Sequence, residues 1–204
     1  MKRLLLTLLL LLPAAADAHH IEGVLMLDTG QAQCTGFNIA VQQGSLLAIT
    51  AAHCLTPVGT IDPVLGTWTR ITWRNITIFD ATTKEAISRD GEVVRIWGDA
   101  ALFKYPIGPK AKVLHITSQI PKYGDPISAC ALTVEEGQVI CYPGLWSGDQ
   151  ITYDEKIFYV ATLPVRPGMS GGPIYNRRGE VFGLFSLQLA GGLSGITLLG
   201  ELIK

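Results

Sequence analysis

The 204-residue sequence carries 16 Lys and Arg against 17 Asp and Glu, a net charge of −1, with 48% hydrophobic residues and four cysteines. A balance this close to neutral, without a basic cluster, argues against nucleic acid or an anionic membrane surface as partner. A chain of this size buries roughly 70% of its unfolded surface, enough for one large domain or two small packed halves.

The chain opens on MKRLLLTLLLLLPAAADA. Two basic residues, an apolar run and a small-residue A-x-A ending have the order of a secretory signal peptide, here residues 1–18. The run from Leu4 to Leu12 is shorter than the roughly 20 residues that a membrane-spanning helix needs. The expectation is therefore a secreted or periplasmic protein with no membrane anchor after cleavage. His19 and His20 would follow the cut and could chelate copper, but terminal histidines are more often merely solvated, so no metal and no cofactor are expected.

Cys34, Cys54, Cys130 and Cys141 in an exported chain predict two disulfides. Three pairings are allowed; joining Cys34 to Cys54 and Cys130 to Cys141 closes the shortest loops. Neither of those pairs has C-x-x-C spacing, which speaks against a metal site.

Short runs rich in Ile, Val, Thr and aromatics recur along the chain, separated by Gly, Pro and polar turns. They fall at 21–27, 45–50, 71–79, 92–97 and 100–105, then at 126–132, 138–142, 157–163, 180–188 and 195–200. No long helical periodicity follows the leader, so the pattern is all-β, a sandwich or barrel. YPIGPKAK (105–112) interrupts it with prolines, a glycine and lysines, which predicts a linker between halves at 19–108 and 109–204. His115, in the strand-like segment beyond the linker, reads as structural. Asn75-Ile76-Thr77 fits a glycosylation acceptor, a pattern common by chance.

Three segments carry candidate chemistry. LAITAAHCLT (47–56) sets His53 at the end of an apolar strand. WGDAALFKY (97–105) sets Asp99 immediately before another, where a partly buried carboxylate needs a partner. RPGMSGGPIYN (166–176) frames Ser170 with glycines, which permit an unusual backbone path and close approach of a second molecule. Alone, each has a plain reading: a core histidine beside a disulfide, a surface turn aspartate, a tight hairpin.

Together, TAAHC (50–54), GDAALFK (98–104) and GMSGGP (168–173) resemble the chymotrypsin-like (trypsin-fold) serine proteases, in that family's His, Asp, Ser order. The likeness extends over CTGFNIAVQQGSLLAITAAHC (34–54), where the family links two strands by a disulfide beside the histidine. The resemblance implies two packed six-stranded antiparallel β-barrels with the active site in the cleft between them. It implies a serine endopeptidase in which His53 is the general base, Asp99 orients the imidazole and Ser170 attacks the carbonyl. It also implies an oxyanion hole made by the N–H groups of Gly168 and Ser170. FYVATLPVRPGMSGGPIYNRRGEVFGLFS (158–186) is closest in pattern to bacterial exported HtrA-like peptidases, here without a PDZ domain beyond Lys204.

Departures from the family bear on activation and specificity. Met169 stands before the serine, where activated members have an Asp that pairs with a new amino terminus, so that activation route is not expected. Pro164 occupies the family's pocket-floor position, and GLFSLQL (183–189) matches its substrate-pairing strand, making Ser186, Leu187 and Gln188 the pocket wall. Leu187 and an uncharged pocket would favour a small or medium apolar P1 residue. The expected partner is a peptide or protein substrate, and the expected state is a monomer. Two other functions fit the same chain: a non-catalytic peptide-binding module on this fold, and an esterase for small acyl substrates.

Overall fold

The computed structural model describes residues 21–30, 32–55, 72–73, 76–89, 91–107 and 111–200. The leader, His19 and His20, Asn75 and the expected boundary at 108 and 109 lie outside them. Fourteen strands fill the described chain, in two antiparallel sheets.

The first sheet uses β1 (Val24–Asp28), β2 (Gln33–Gln42), β3 (Ser45–Ala51), β4 (Thr72–Trp73), β5 (Thr77–Asp80), β6 (Ala86–Ser88), β7 (Gly91–Trp97) and β8 (Ala100–Pro106). Its order is β4-β7-β8-β3-β2-β1-β5-β6, and among the described residues no ladder joins β4 to β6. The expected six strands are thus eight segments here, because β4 spans two residues and β6 only three. Asp80 sets up the turn before β6: its Oδ1 accepts the N–H groups of Thr82 and Thr83, both at 2.8 Å, the side-chain-to-backbone bonding that makes Asp a turn residue. β2 and β3 form a hairpin through Gln43 and Gly44, whose φ angles of 48° and 77° are both left-handed, the twist that two-residue hairpins favour.

The second sheet is the closed six-stranded barrel that was expected, in the order β10-β11-β14-β13-β12-β9. It comprises β9 (Pro126–Thr133), β10 (Gln138–Tyr153), β11 (Lys156–Ala161), β12 (Pro173–Tyr175), β13 (Val181–Gln188) and β14 (Ser194–Leu198). Alternate residues of these strands point inward. Trp146 meets Phe182 edge-on with ring centroids 5.2 Å apart, over Ile174, Ile196 and Met169. Phe37, Ile49 and Phe103 fill the first core. Each such side chain contributes about 1.5–3 kcal/mol by leaving water. The buried Tyr105 hydroxyl donates to Asn38 Oδ1 at 2.7 Å, tying β8 to β2 across β3; burial raises its pKa, which keeps the donor proton in place.

Buried threonines join the two sheets. Thr35 on β2 donates its N–H to the Ser170 carbonyl and its Oγ1–H to the Gly168 carbonyl, each at 2.8 Å. The same Oγ1 accepts the Leu132 N–H from β9 at 2.8 Å. Thr50 Oγ1 donates to the Thr35 carbonyl at 2.6 Å. An apolar residue at position 35 would leave the Gly168 carbonyl and the Leu132 N–H without the Oγ1 partner they have here.

The disulfides are Cys34–Cys54 and Cys130–Cys141. Cys34–Cys54 holds the start of β2 to the turn after β3. Cys130 and Cys141 face one another across β9 and β10. The double variant Cys34→Ser/Cys54→Ser should lose about 3 kcal/mol of stability, the loop-entropy value for a closed loop of this length. Urea unfolding of the two forms measures it; a midpoint unchanged from wild type would show that the link constrains nothing. Among the described residues no helix is long and apolar enough to cross a membrane.

Candidate active site

His53 and Asp99 meet because β3 and β8 pair with Ala51 opposite Ala100. β3 ends in a single 3₁₀ turn, Ala52–Cys54, which carries His53. β8 begins after the two-residue turn Gly98–Asp99, where Gly98 takes a left-handed φ of 54°, as the first position of such a turn requires. Asp99 is 4% exposed and accepts with three oxygens. Its carbonyl takes the Ala52 N–H at 2.9 Å, Oδ1 takes the His53 N–H at 3.2 Å, and Oδ2 lies 2.9 Å from His53 Nδ1. A buried carboxylate accepts a proton-bearing nitrogen, so Nδ1 donates, and in the neutral ring Nε2 is left with its lone pair.

Ser170 sits in the turn between β11 and β12. Its carbonyl is held by Thr35, and the next residue, Gly171, donates its N–H to the Phe185 carbonyl at 2.8 Å. A Cβ at Gly171 would collide with the Thr35 carbonyl oxygen and Thr50 Oγ1 and lie 2.7 Å from the Ala51 N, so only glycine lets the serine turn press against β2 and β3. Its φ of 82° adds strain for any other residue. Gly171→Ala should cost about 3 kcal/mol or more, since backbone atoms cannot give way as side chains do. Thermal unfolding tests this; a wild-type melting temperature would contradict the packing.

The segment before the serine is a tight turn. The Met169 N–H donates to the Arg166 carbonyl at 3.2 Å, with Pro167 and Gly168 at its corner and a Gly168 φ of 94°. Pro167 directs its carbonyl to the Val134 N–H at 3.1 Å. Among the described residues, the N–H groups of Gly168 and Ser170 have no protein acceptor. Two uncommitted amides beside a serine are what a developing oxyanion needs. Met169, where an activation ion pair was ruled out, is wholly buried in the second core, and its sulfur accepts the Arg166 N–H at 3.1 Å. Apolar burial thus anchors the turn.

His53 and Ser170 line one cleft of about 320 Å³, walled by Val165, Arg166, Pro167 and Gly168 on one side and by Phe185 to Gln188 on the other. No hydrogen bond joins the Ser170 hydroxyl to the imidazole among the described residues, and such contacts commonly tighten only when substrate binds. Ser186, Leu187 and Gln188 are among the residues lining the cleft. Leu187 also lies over Gly195, where an added Cβ would be 2.8 Å from its Cγ. Ser186 is buried, its Oγ 2.6 Å from Thr197 Oγ1. β12 covers β13 only as far as Leu184, so the edge from Ser186 to Gln188 is open on that side.

Pro164 is not among the residues lining the cleft, whose wall begins at Val165. The cleft is also not uncharged, since Arg166 lines it. Neither could be found from the sequence, where Arg166 shows no motif of its own. His115 is exposed, with Nδ1 3.7 Å from Glu180 Oε1, away from this cleft.

The fold and the serine-centred motifs are those of a chymotrypsin-like serine peptidase. The family profile described as trypsin-like peptidase domain matches residues 34–184. The chain belongs to that family. No curated protein matches the sequence. Among solved structures it is similar to Rv3671c from M. tuberculosis H37Rv, as a serine-to-alanine mutant in the inactive form, with a TM-score of 0.68 and 18% identity over 91% of this chain and 85% of that one. The inactive form of Rv3671c protease gives 0.68 and 18% over 91% and 88%. The active form gives 0.67 and 18% over 91% and 80%. At this identity the likeness is one of fold.

Proposed function

We propose that this serine peptidase is an exported endopeptidase that works through Ser170, His53 and Asp99 and an acyl-enzyme. The observation that carries the reading is the buried Asp99 carboxylate on His53 Nδ1, in a cleft shared with the Ser170 hydroxyl. His53 Nε2 takes the Ser170 proton as Oγ adds to the scissile carbonyl, and the N–H groups of Gly168 and Ser170 take the oxyanion. The imidazolium then gives its proton to the leaving amine. Water enters on the vacated side, loses a proton to Nε2 and attacks the acyl-enzyme, releasing the acid and Ser170.

An extended peptide pairs with the open edge at Ser186 to Gln188, and Leu187 favours a small or medium apolar P1 side chain. Export follows from the signal peptide at 1–18 and agrees with two disulfides; cleavage leaves halves at 19–108 and 109–204, acting as a monomer. The test is acylation by a fluorophosphonate probe. Wild type should be labelled and Ser170→Ala should not; labelling that persists in the variant rejects the assignment.

A further inference from the structure

Among the residues lining the cleft, Arg166 alone carries a permanent charge, and no Asp or Glu is one of those residues. Arg166 has a fixed backbone and a half-exposed side chain. Its carbonyl and N–H both bond to Met169, which is buried in the core, so its Cα is fixed relative to the serine three residues beyond Pro167. Its guanidinium hydrogen-bonds one partner among the described residues, Nη1 donating to Glu135 Oε2 at 3.2 Å. The two side chains are 46% and 66% exposed. An exposed pair of this kind contributes little and exchanges readily with another anion. One contact leaves most of the five guanidinium N–H donors open, in a fork that matches a carboxylate bidentately.

We propose that Arg166 is a specificity-determining residue that binds a substrate carboxylate, so that the preferred substrates are acidic peptides: an apolar P1 residue with Asp or Glu within two positions of the cut. Glu135 occupies the guanidinium until the substrate displaces it. The proposal rests on the serine peptidase reading above and adds the charge of the substrate to it. The open fork selects for charge and planarity, so glutamine in place of glutamate loses the second, charge-assisted bond.

The experiment compares kcat/KM for paired peptides that differ only in Glu against Gln at each position flanking the cut, found first by a position-scanning library. Taking the ratio on one preparation cancels differences in folding and in active-site count. Wild type should favour Glu by about 2- to 5-fold, the range of a solvent-exposed charged pair. The preference should shrink with added salt, because the site is half open to solvent. Arg166→Gln should bring the ratio to about 1, and Glu135→Gln, which removes the competing anion from an exposed turn, should raise it. A ratio near 1 in wild type, or a ratio that Arg166→Gln leaves intact, overturns the assignment while fluorophosphonate labelling keeps the peptidase reading. Absence of both labelling and cleavage in wild type overturns the two together.

Discussion

Replacing Ser170 with alanine is expected to lower kcat by a factor on the order of 10⁵ to 10⁶, with the fold intact. In the proposed mechanism the side chain is the nucleophile, and the hydroxyls of Ser186 and Thr35 are not free to substitute: Ser186 is buried against Thr197 and Thr35 is committed to Gly168. Everything that shapes the turn is backbone or another side chain. The Ser170 carbonyl on Thr35, the Gly171 N–H on Phe185 and the Met169 anchor all remain in the variant. Stability should therefore change by no more than about 0.5 kcal/mol, as for substitutions away from structural contacts. Burst kinetics with an ester substrate and thermal unfolding measure the two halves of the statement. A fall of less than about 100-fold would mean that another group attacks the carbonyl.

Asp99→Asn should lower kcat by about 10⁴ without a comparable change in KM. Asparagine has the shape of aspartate and can keep the His53 main-chain bond now made by Oδ1. The amide nitrogen then faces Nδ1 and its NH₂ donates, so Nδ1 must accept and the proton moves to Nε2. The ring then presents a hydrogen to Ser170 where it needs a lone pair, and the imidazolium of the transition state loses its counter-charge. Nitrogen chemical shifts of His53 report the tautomer directly. Full activity in the variant, or an unchanged tautomer, would separate Asp99 from catalysis and leave it a structural partner of the Ala52–Cys54 turn.

Much of this site is legible along the chain because its parts are local. The Gly98–Asp99 turn needs a residue at positive φ followed by a strand, and the sequence supplies glycine and then Ala-Ala-Leu-Phe. The serine turn needs Pro167, Gly168 and Gly171, and each stands in place. His53 follows an apolar strand by two residues and has a cysteine beside it. The second half is likewise readable as β from its short apolar runs and turn residues, whereas its closure into a barrel is implied only by the family resemblance. The first sheet was less legible, since two- and three-residue strands such as β4 and β6 are too short to show a period and form only because a longer neighbour offers its edge.

The sequence by itself indicated an all-β pattern and its turns, because propensity, turn geometry and side-chain alternation act over a few residues, and the family resemblance of its motifs singled out His53, Asp99 and Ser170 as candidates. Only the tertiary structure decided what surrounds them: Thr35 gripping Gly168 from 133 positions away, Met169 buried in place of an ion pair, Pro164 left out of the cleft and Arg166 brought into it. Those outcomes depend on how two sheets press together. Exclusion of water from that seam, and the need of each buried donor for an acceptor, select partners by position in space, and distance along the chain carries no record of it.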